Sequence, residues 1–302
     1  MLSYSDDIVL KIASIFAAAI ALEASVEGKP TTVSGSSGLK GLSLEKFILT
    51  STLLTPTYIN LINDAVTGKP LRMGRYVLST ISEIVDFKLI STNTALGYLI
   101  LSIPLAYSVG YLIKDNEVFK PKELPITVVR IYSLRVKKHL SSESSSDLCK
   151  ALIMVRPSYL GKVYGKIPDI NLCVGNGDTS LIDLIGSSRY LDIIMYELYH
   201  DYPRTTELSK YLLNTLGNSP LQKVLLDAFL RLSSNVIDSV VLRSRGYSYA
   251  LIIKYLMRYF NHGLISPKYS SWLRSKCINL GSVADILACS LALALTSIEL
   301  GE

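Results

Sequence analysis

Three short clusters in this 302-residue chain gather side chains that could do chemistry. Thr92-Asn93-Thr94 opens an apolar stretch. Two hydroxyls and an amide at a helix start can cap the helix. With the free backbone N–H groups found there, they can also bind an anion. Gly281-Ser282-Val283-Ala284-Asp285 sets one carboxylate at the entrance of a strongly apolar helix. Such a group either complements the helix dipole or serves as a metal or substrate group. From Asp238 to Gly246 an acid and the guanidinium groups of Arg243 and Arg245 sit at what reads as a helix end. They are solvated charges or a phosphate clamp. Val174-Gly175-Asn176-Gly177-Asp178 reads as a turn before it reads as a phosphate loop. P-loop, complete dinucleotide fingerprint, Gly-x-Ser-x-Gly elbow and His-Glu-x-x-His motif are all absent.

The elements that must position these clusters are helices. Ile8, Ile12, Ile15, Ala19 and Leu22 mark one face of a first helix, with Ser5 as its cap and Glu23 near its end. Gly28 to Gly38 is a loop by composition. Helical patterns resume at Leu44–Leu54 and Tyr76–Phe87. Between Lys88 and Lys114 no side chain is charged. That stretch could span a bilayer by length, but Ser91 to Thr94 and Ser102 are polar and Pro104 breaks its middle, so a buried central helix is expected. Pro121 and Pro125 open a basic amphipathic helix to about Leu140, carrying Arg130, Arg135, Lys137, Lys138 and His139. Its charges read as a solvated face. Ser141 to Ser146 is a polar linker and the one soft boundary. A short helix over Asp147–Val155 and an irregular stretch over Arg156–Asp178 follow. Further helices are expected at Leu181–Asp201, Thr206–Leu216, Pro220–Val241, Tyr247–Phe260, Tyr269–Lys276 and Gly281–Leu300. The expected fold is all-α, a single compact multi-helix domain over 1–302 with a buried central helix.

Composition narrows the class. Nearly half the chain is apolar and 19% charged, which excludes general disorder. A net charge of +6 suits an anionic small molecule. Cys149, Cys173, Cys277 and Cys289 form no Cys-x-x-Cys pair and read as buried free thiols in a reducing compartment. Three scattered histidines offer no zinc spacing. Asp6 and Asp7 stand where a signal peptide would be basic. A cytoplasmic location is expected, with neither a membrane nor a nucleic acid as partner; a homodimer is left open.

Taken together and in order, the clusters resemble the triphosphoribosyl-dephospho-CoA synthase family, in particular its archaeal-type members. The resemblance rests on Glu23-Ala24-Ser25 with Gly28-Lys29-Pro30, and on Thr92-Asn93-Thr94-Ala95-Leu96-Gly97 continuing through Pro104-Leu105-Ala106. It rests also on Asp238 to Gly246 and on Asn279-Leu280-Gly281-Ser282-Val283-Ala284-Asp285-Ile286-Leu287-Ala288. It implies an all-helical enzyme that joins ATP, as a substrate, to the ribose 2′-hydroxyl of dephospho-CoA and releases adenine. The partners implied are a nucleotide and a coenzyme A-type acceptor, with Mg²⁺ on the triphosphate. By that resemblance Glu23 and Asp285 are the catalytic carboxylates and the metal ligands. Lys29, Arg243 and Arg245 hold phosphates, and Thr92, Asn93 and Thr94 bind the ribose or a phosphate. Glu197 matches a glutamate on a middle helix of such proteins.

The sequence departs from the family pattern at two places. Thr31 stands where a glycine follows Lys-Pro, and no acid occurs between Thr31 and Glu45; Leu280 replaces a proline. A glycine that lets backbone approach a ligand is thereby lost. Two readings follow: a nucleotide-dependent transferase, or a degenerate relative that binds a nucleotide or a partner protein without turnover.

Overall fold

The computed structural model describes residues 6–39, 41–115, 120–157, 179–265 and 268–301. Ser5, Cys173 and the Val174–Asp178 stretch lie outside the described residues. Helix α1 (Asp6–Ala24) buries Ile12 and Ala19 of the face read from the apolar spacing together with Phe16 and Ile20, while Ile8, Ile15 and Leu22 of that face are only partly buried. It packs along α2 (Leu44–Thr67), which runs well beyond the expected Leu44–Leu54. Pro56 does not end α2 because it sits on the solvent side. The carbonyl it leaves without a partner belongs to exposed Thr52, which water can satisfy. Gly68, in the left-handed conformation at φ 80°, stops the helix instead.

After α3 (Met73–Asp86), α4 (Leu96–Asp115) is the buried central helix. Pro104 lies inside it, where an interruption was expected; surrounding helices hold the helix together and Ser108 Oγ donates to the Pro104 carbonyl at 2.7 Å. Polar groups in this apolar setting find partners: Tyr58 Oη and Ser102 Oγ lie 2.5 Å apart, and Tyr202 Oη donates to the Leu101 carbonyl at 2.9 Å.

The basic helix is built from a 3₁₀ turn, α5 (Leu124–Ile131), a π turn over Tyr132–Val136 and α6 (Lys137–Ser142). Its charges are partly spoken for. Arg135 pairs with Asp115, Lys137 with Asp201 at 2.9 Å, and His139 Nδ1 accepts from the Leu71 N–H. The polar segment before α7 (Ser146–Val155) is tied down too: buried Glu143 accepts the Met73 and Gly74 N–H groups at 2.8 Å, at the start of α3.

Two helices expected to be continuous are each broken by an aspartate. Leu181–Asp201 divides into α8 (Leu181–Ser188) and α9 (Ile193–Tyr199), with Asp192 capping α9. After α10 (Pro203–Thr215), Pro220–Val241 divides into α11 (Leu221–Asn235) and α12 (Ser239–Arg245), with Asp238 as the cap. Asp238 therefore starts a helix; it does not end one. Helices α13 (Tyr247–Asn261), α14 (Lys268–Ser275) and α15 (Gly281–Leu300) complete the chain. No strand occurs among the described residues, only isolated bridges.

Helices α4 and α15 are long and apolar enough to cross a membrane, but 89% and 67% of their most apolar windows are buried against other helices. The expectation of four buried free thiols needs correcting. Cys289 is free and buried, Cys277 is free but exposed, and Cys149 is in a disulfide.

Candidate functional site

Four chain segments meet at the head of α4. The end of α1 brings Glu23, and the loop after it brings Thr32 and Val33. The segment leading into α4 and its first residues bring Asn93 to Gly97, and the segment leading into α15 and its first turns bring Asn279, Gly281 and Asp285. They enclose a small cavity of about 70 Å³. A second chamber of about 50 Å³ adjoins it and shares Leu96, Gly97 and Asp285; its far wall holds Asp192, Ser239 and Arg243.

Asp285 stands between the two chambers. It reaches α4 at Gly97, where a side chain is missing: a Cβ there would collide with the Asp285 carboxylate. The carboxylate also accepts the Tyr98 backbone N–H. Burial, then the charges of Glu23, Asp238 and Asp192, raise its pKa well above the ordinary carboxylate range. Ala is a better helix former than Gly by about 1 kcal/mol, so propensity alone would favour Gly97→Ala. The collision reverses that sign. Gly97→Ala is expected to cost about 1–3 kcal/mol through overpacking, read as a lower melting temperature, and to weaken nucleotide binding in a calorimeter. A variant with raised stability and unchanged binding would show that Asp285 does not need the bare backbone.

Glu23, almost fully buried, is held by Lys29. The Lys29 ammonium donates to Glu23 Oε1 and to the Glu23 carbonyl, each at 2.7 Å. Burial lowers the Lys29 pKa and the Glu23 charge opposes that shift. The structure thus gives Lys29 a carboxylate partner within the chain, where a phosphate contact was expected. Thr31, the residue departing from the family pattern, has a use of its own. Its hydroxyl donates to the Ile278 carbonyl and accepts the Thr32 N–H. Arg274 on α14 donates to the Thr32 and Lys29 carbonyls, both at 2.8 Å. The loop is therefore clamped to the segment leading into α15.

The Thr92-Asn93-Thr94 cluster is mainly a cap. Asn93 Oδ1 accepts the Leu96 N–H at 3.1 Å, and Thr94 Oγ1 lies 2.6 Å from Thr50 Oγ1 on α2. Asn93 and Thr94 line the cavity; Thr92 does not. Buried Arg243 pairs with Asp192 at 3.1 Å on the wall of the second chamber. Arg245 is exposed, binds the Lys276 carbonyl at 2.9 Å and lines neither chamber. Two residues along the helix, about 200° of rotation, put it on the face opposite Arg243. Glu197 lines neither chamber. It is buried at the start of α10, accepting the Thr205 N–H and hydroxyl at 2.9 Å and the Arg204 guanidinium at 3.2 Å.

Sequence reasoning missed Asp192, although an Asp directly before Ile193-Ile194-Met195 is a helix-start signal. It also missed that Asp238 serves two helices. Asp238 Oδ1 accepts the Val240 and Val241 N–H groups of α12, while Oδ2 accepts the Val283 N–H of α15 at 3.0 Å. Among the described residues no group of three or more His, Cys, Asp and Glu side chains is placed to hold a metal ion.

The family model described as CitG: ATP:dephospho-CoA triphosphoribosyl transferase matches residues 10–301. A crystal structure from Archaeoglobus fulgidus, described as a candidate triphosphoribosyl-dephospho-CoA synthase, matches at a TM-score of 0.59 and 19% identity. The match covers 83% of this chain and 98% of that one, and at such identity it speaks for the fold. No curated protein gives a significant match.

Proposed function

This chain belongs to the ATP:dephospho-CoA triphosphoribosyl transferase family, and from that premise we propose that the cleft beside Asp285 binds ATP as a substrate. Its triphosphoribosyl group passes to the 2′-hydroxyl of dephospho-CoA or a related acceptor. The bond from ribose C1′ to adenine N9 breaks, and a bond from C1′ to the acceptor oxygen forms. The acceptor's proton goes to a base, while adenine leaves with the N9 electron pair and is protonated. Positive charge builds on the ribose, as in glycoside cleavage.

The observation that carries this reading is the placing of Asp285 against Gly97 at the head of α4, with Glu23 on the same cleft. Such a displacement asks for two carboxylates, one to stabilise the ribose charge and one to take the acceptor proton. Asp285 and Glu23 are assigned those roles, with the Glu23 side chain held in place by Lys29. The Asn93 amide NH₂ is a donor for the ribose or a phosphate. Arg243 is the cation for a phosphate entering the second chamber. Bound Mg²⁺ would neutralise charge on the triphosphate. Asp285 and Glu23 are the carboxylates on the cleft that would hold it, with the substrate's phosphates supplying most of its ligands.

A second reading, nucleotide binding without turnover, is favoured by one observation. In the loop that departs from the family pattern, Lys29 is taken up by Glu23 and Thr31 by the Ile278 carbonyl. Incubation with ATP, Mg²⁺ and dephospho-CoA, followed by an assay for free adenine, separates the two. Stoichiometric adenine in the presence of acceptor is the expected result. ATP binding with no adenine from any acceptor would sink the transferase reading and leave the binder.

A further inference from the structure

The segment between Asp238 and Asp285 contains no acidic residue: all 25 Asp and Glu side chains lie outside these 46 residues, which carry seven Lys and Arg. One of the seven, Arg243, is buried and paired with Asp192. The middle of the segment builds α13 and α14, whose outer face is aromatic and aliphatic. Ile252, Tyr255 and Tyr259 recur at helical spacing on α13 and are each at least half exposed. Leu264 follows at 70% exposure, then Tyr269 and Trp272 on α14. Between the helices, Leu256, Tyr269 and Trp272 wall an apolar recess of about 380 Å³ with Lys268 beside it.

We propose that this face of α13 and α14 is a peripheral docking surface for an anionic lipid bilayer. Charge complementarity selects the occupant. Two copies of the face would set one basic surface against another. A protein partner offers charges of both signs, and nothing on this face answers a basic one. A nucleic acid would match the charge, but exposed Ile252, Leu264 and the apolar recess gain little from a phosphodiester chain. A bilayer of anionic lipid is negative throughout. Its interface accommodates Tyr and Trp rings among basic side chains, and its acyl region accepts aliphatic ones. The mode is surface contact, since α13 carries Lys254 and Arg258 along its length and is no membrane span.

Trp272 is the chain's one tryptophan, so its emission reports on this face alone. The full chain is to be mixed at low salt with vesicles of 70% phosphatidylcholine and 30% phosphatidylglycerol, and separately with pure phosphatidylcholine. Co-sedimentation and a blue shift of Trp272 are expected with the anionic vesicles, both lost at high salt. Lys254→Glu/Lys268→Glu is expected to weaken vesicle binding by about tenfold or more. Tyr255→Ser/Tyr259→Ser should weaken it as well. These side chains lie at the surface, and unchanged helical circular dichroism confirms that the variants are folded. Absence of binding to the anionic vesicles would overturn the proposal, as would binding indifferent to both double variants. A blue shift given instead by a single-stranded oligonucleotide, or by self-association without vesicles, would overturn it too.

Discussion

Asp285→Asn is expected to cut adenine release by about a thousandfold, within the range typical of a lost acid–base or charge-stabilising group, while leaving the protein as stable as before or more so at neutral pH. The two effects have opposite signs for one reason. Asp285 is enclosed and faces the charges of Glu23, Asp238 and Asp192, so its folded pKa lies well above the unfolded value. The stability it contributes is fully present below the unfolded carboxylate pKa and is lost as pH rises toward the raised folded value. A neutral amide removes that loss and keeps an oxygen for the Tyr98 N–H. What it cannot do is ionise in answer to the positive charge that builds on the ribose, and so it can neither oppose that charge nor take a proton. Turnover assays beside urea melts at pH 7.5 check both halves. An Asn variant with wild-type turnover would remove Asp285 from the chemistry. A large fall in stability would instead make it a structural carboxylate.

The second large effect is on stability. Asp238→Ala removes a cap from α12 and leaves the Val283 N–H of α15 buried without an acceptor. A lost cap costs about 1 kcal/mol, and a buried unpaired donor costs about 1–3 kcal/mol. A loss of roughly 3 kcal/mol is expected in a denaturant melt. Because Val283 stands two residues before Asp285, ATP binding should weaken as well. Burial also raises the Asp238 pKa to about 7, against the pull of its three N–H bonds. Its contribution to stability is therefore complete below the unfolded pKa of about 4 and is lost as pH rises through about 7. Melts of the wild type at pH 5 and pH 8 should show that decline, and Asp238→Asn should flatten it. An Ala variant that melts like the wild type would show that α12 and α15 are not joined through this carboxylate.

Much of the molecule was legible in the sequence, because the signals involved are local. Apolar residues at helical spacing gave α1, and uncharged stretches gave the core helices α4 and α15. The Asn93, Gly97 and Asp285 motifs carried the family. Other features depend on what lies across space. Whether Asp192 and Asp238 break a helix depends on partners elsewhere: Arg243 and Ser239 for one, the start of α15 for the other. Lys29 could have met a phosphate, but only the fold shows it buried against Glu23. Arg243 and Arg245 look alike in sequence, yet helix rotation sends one inward to Asp192 and the other out to the Lys276 carbonyl. The sequence by itself determined which segments are helical and which family they serve, since periodicity and motif are properties of neighbours. Only the tertiary structure decided which charges share the cleft, because burial, pairing and repulsion between Asp285, Glu23, Asp238 and Asp192 exist only once distant segments are brought together.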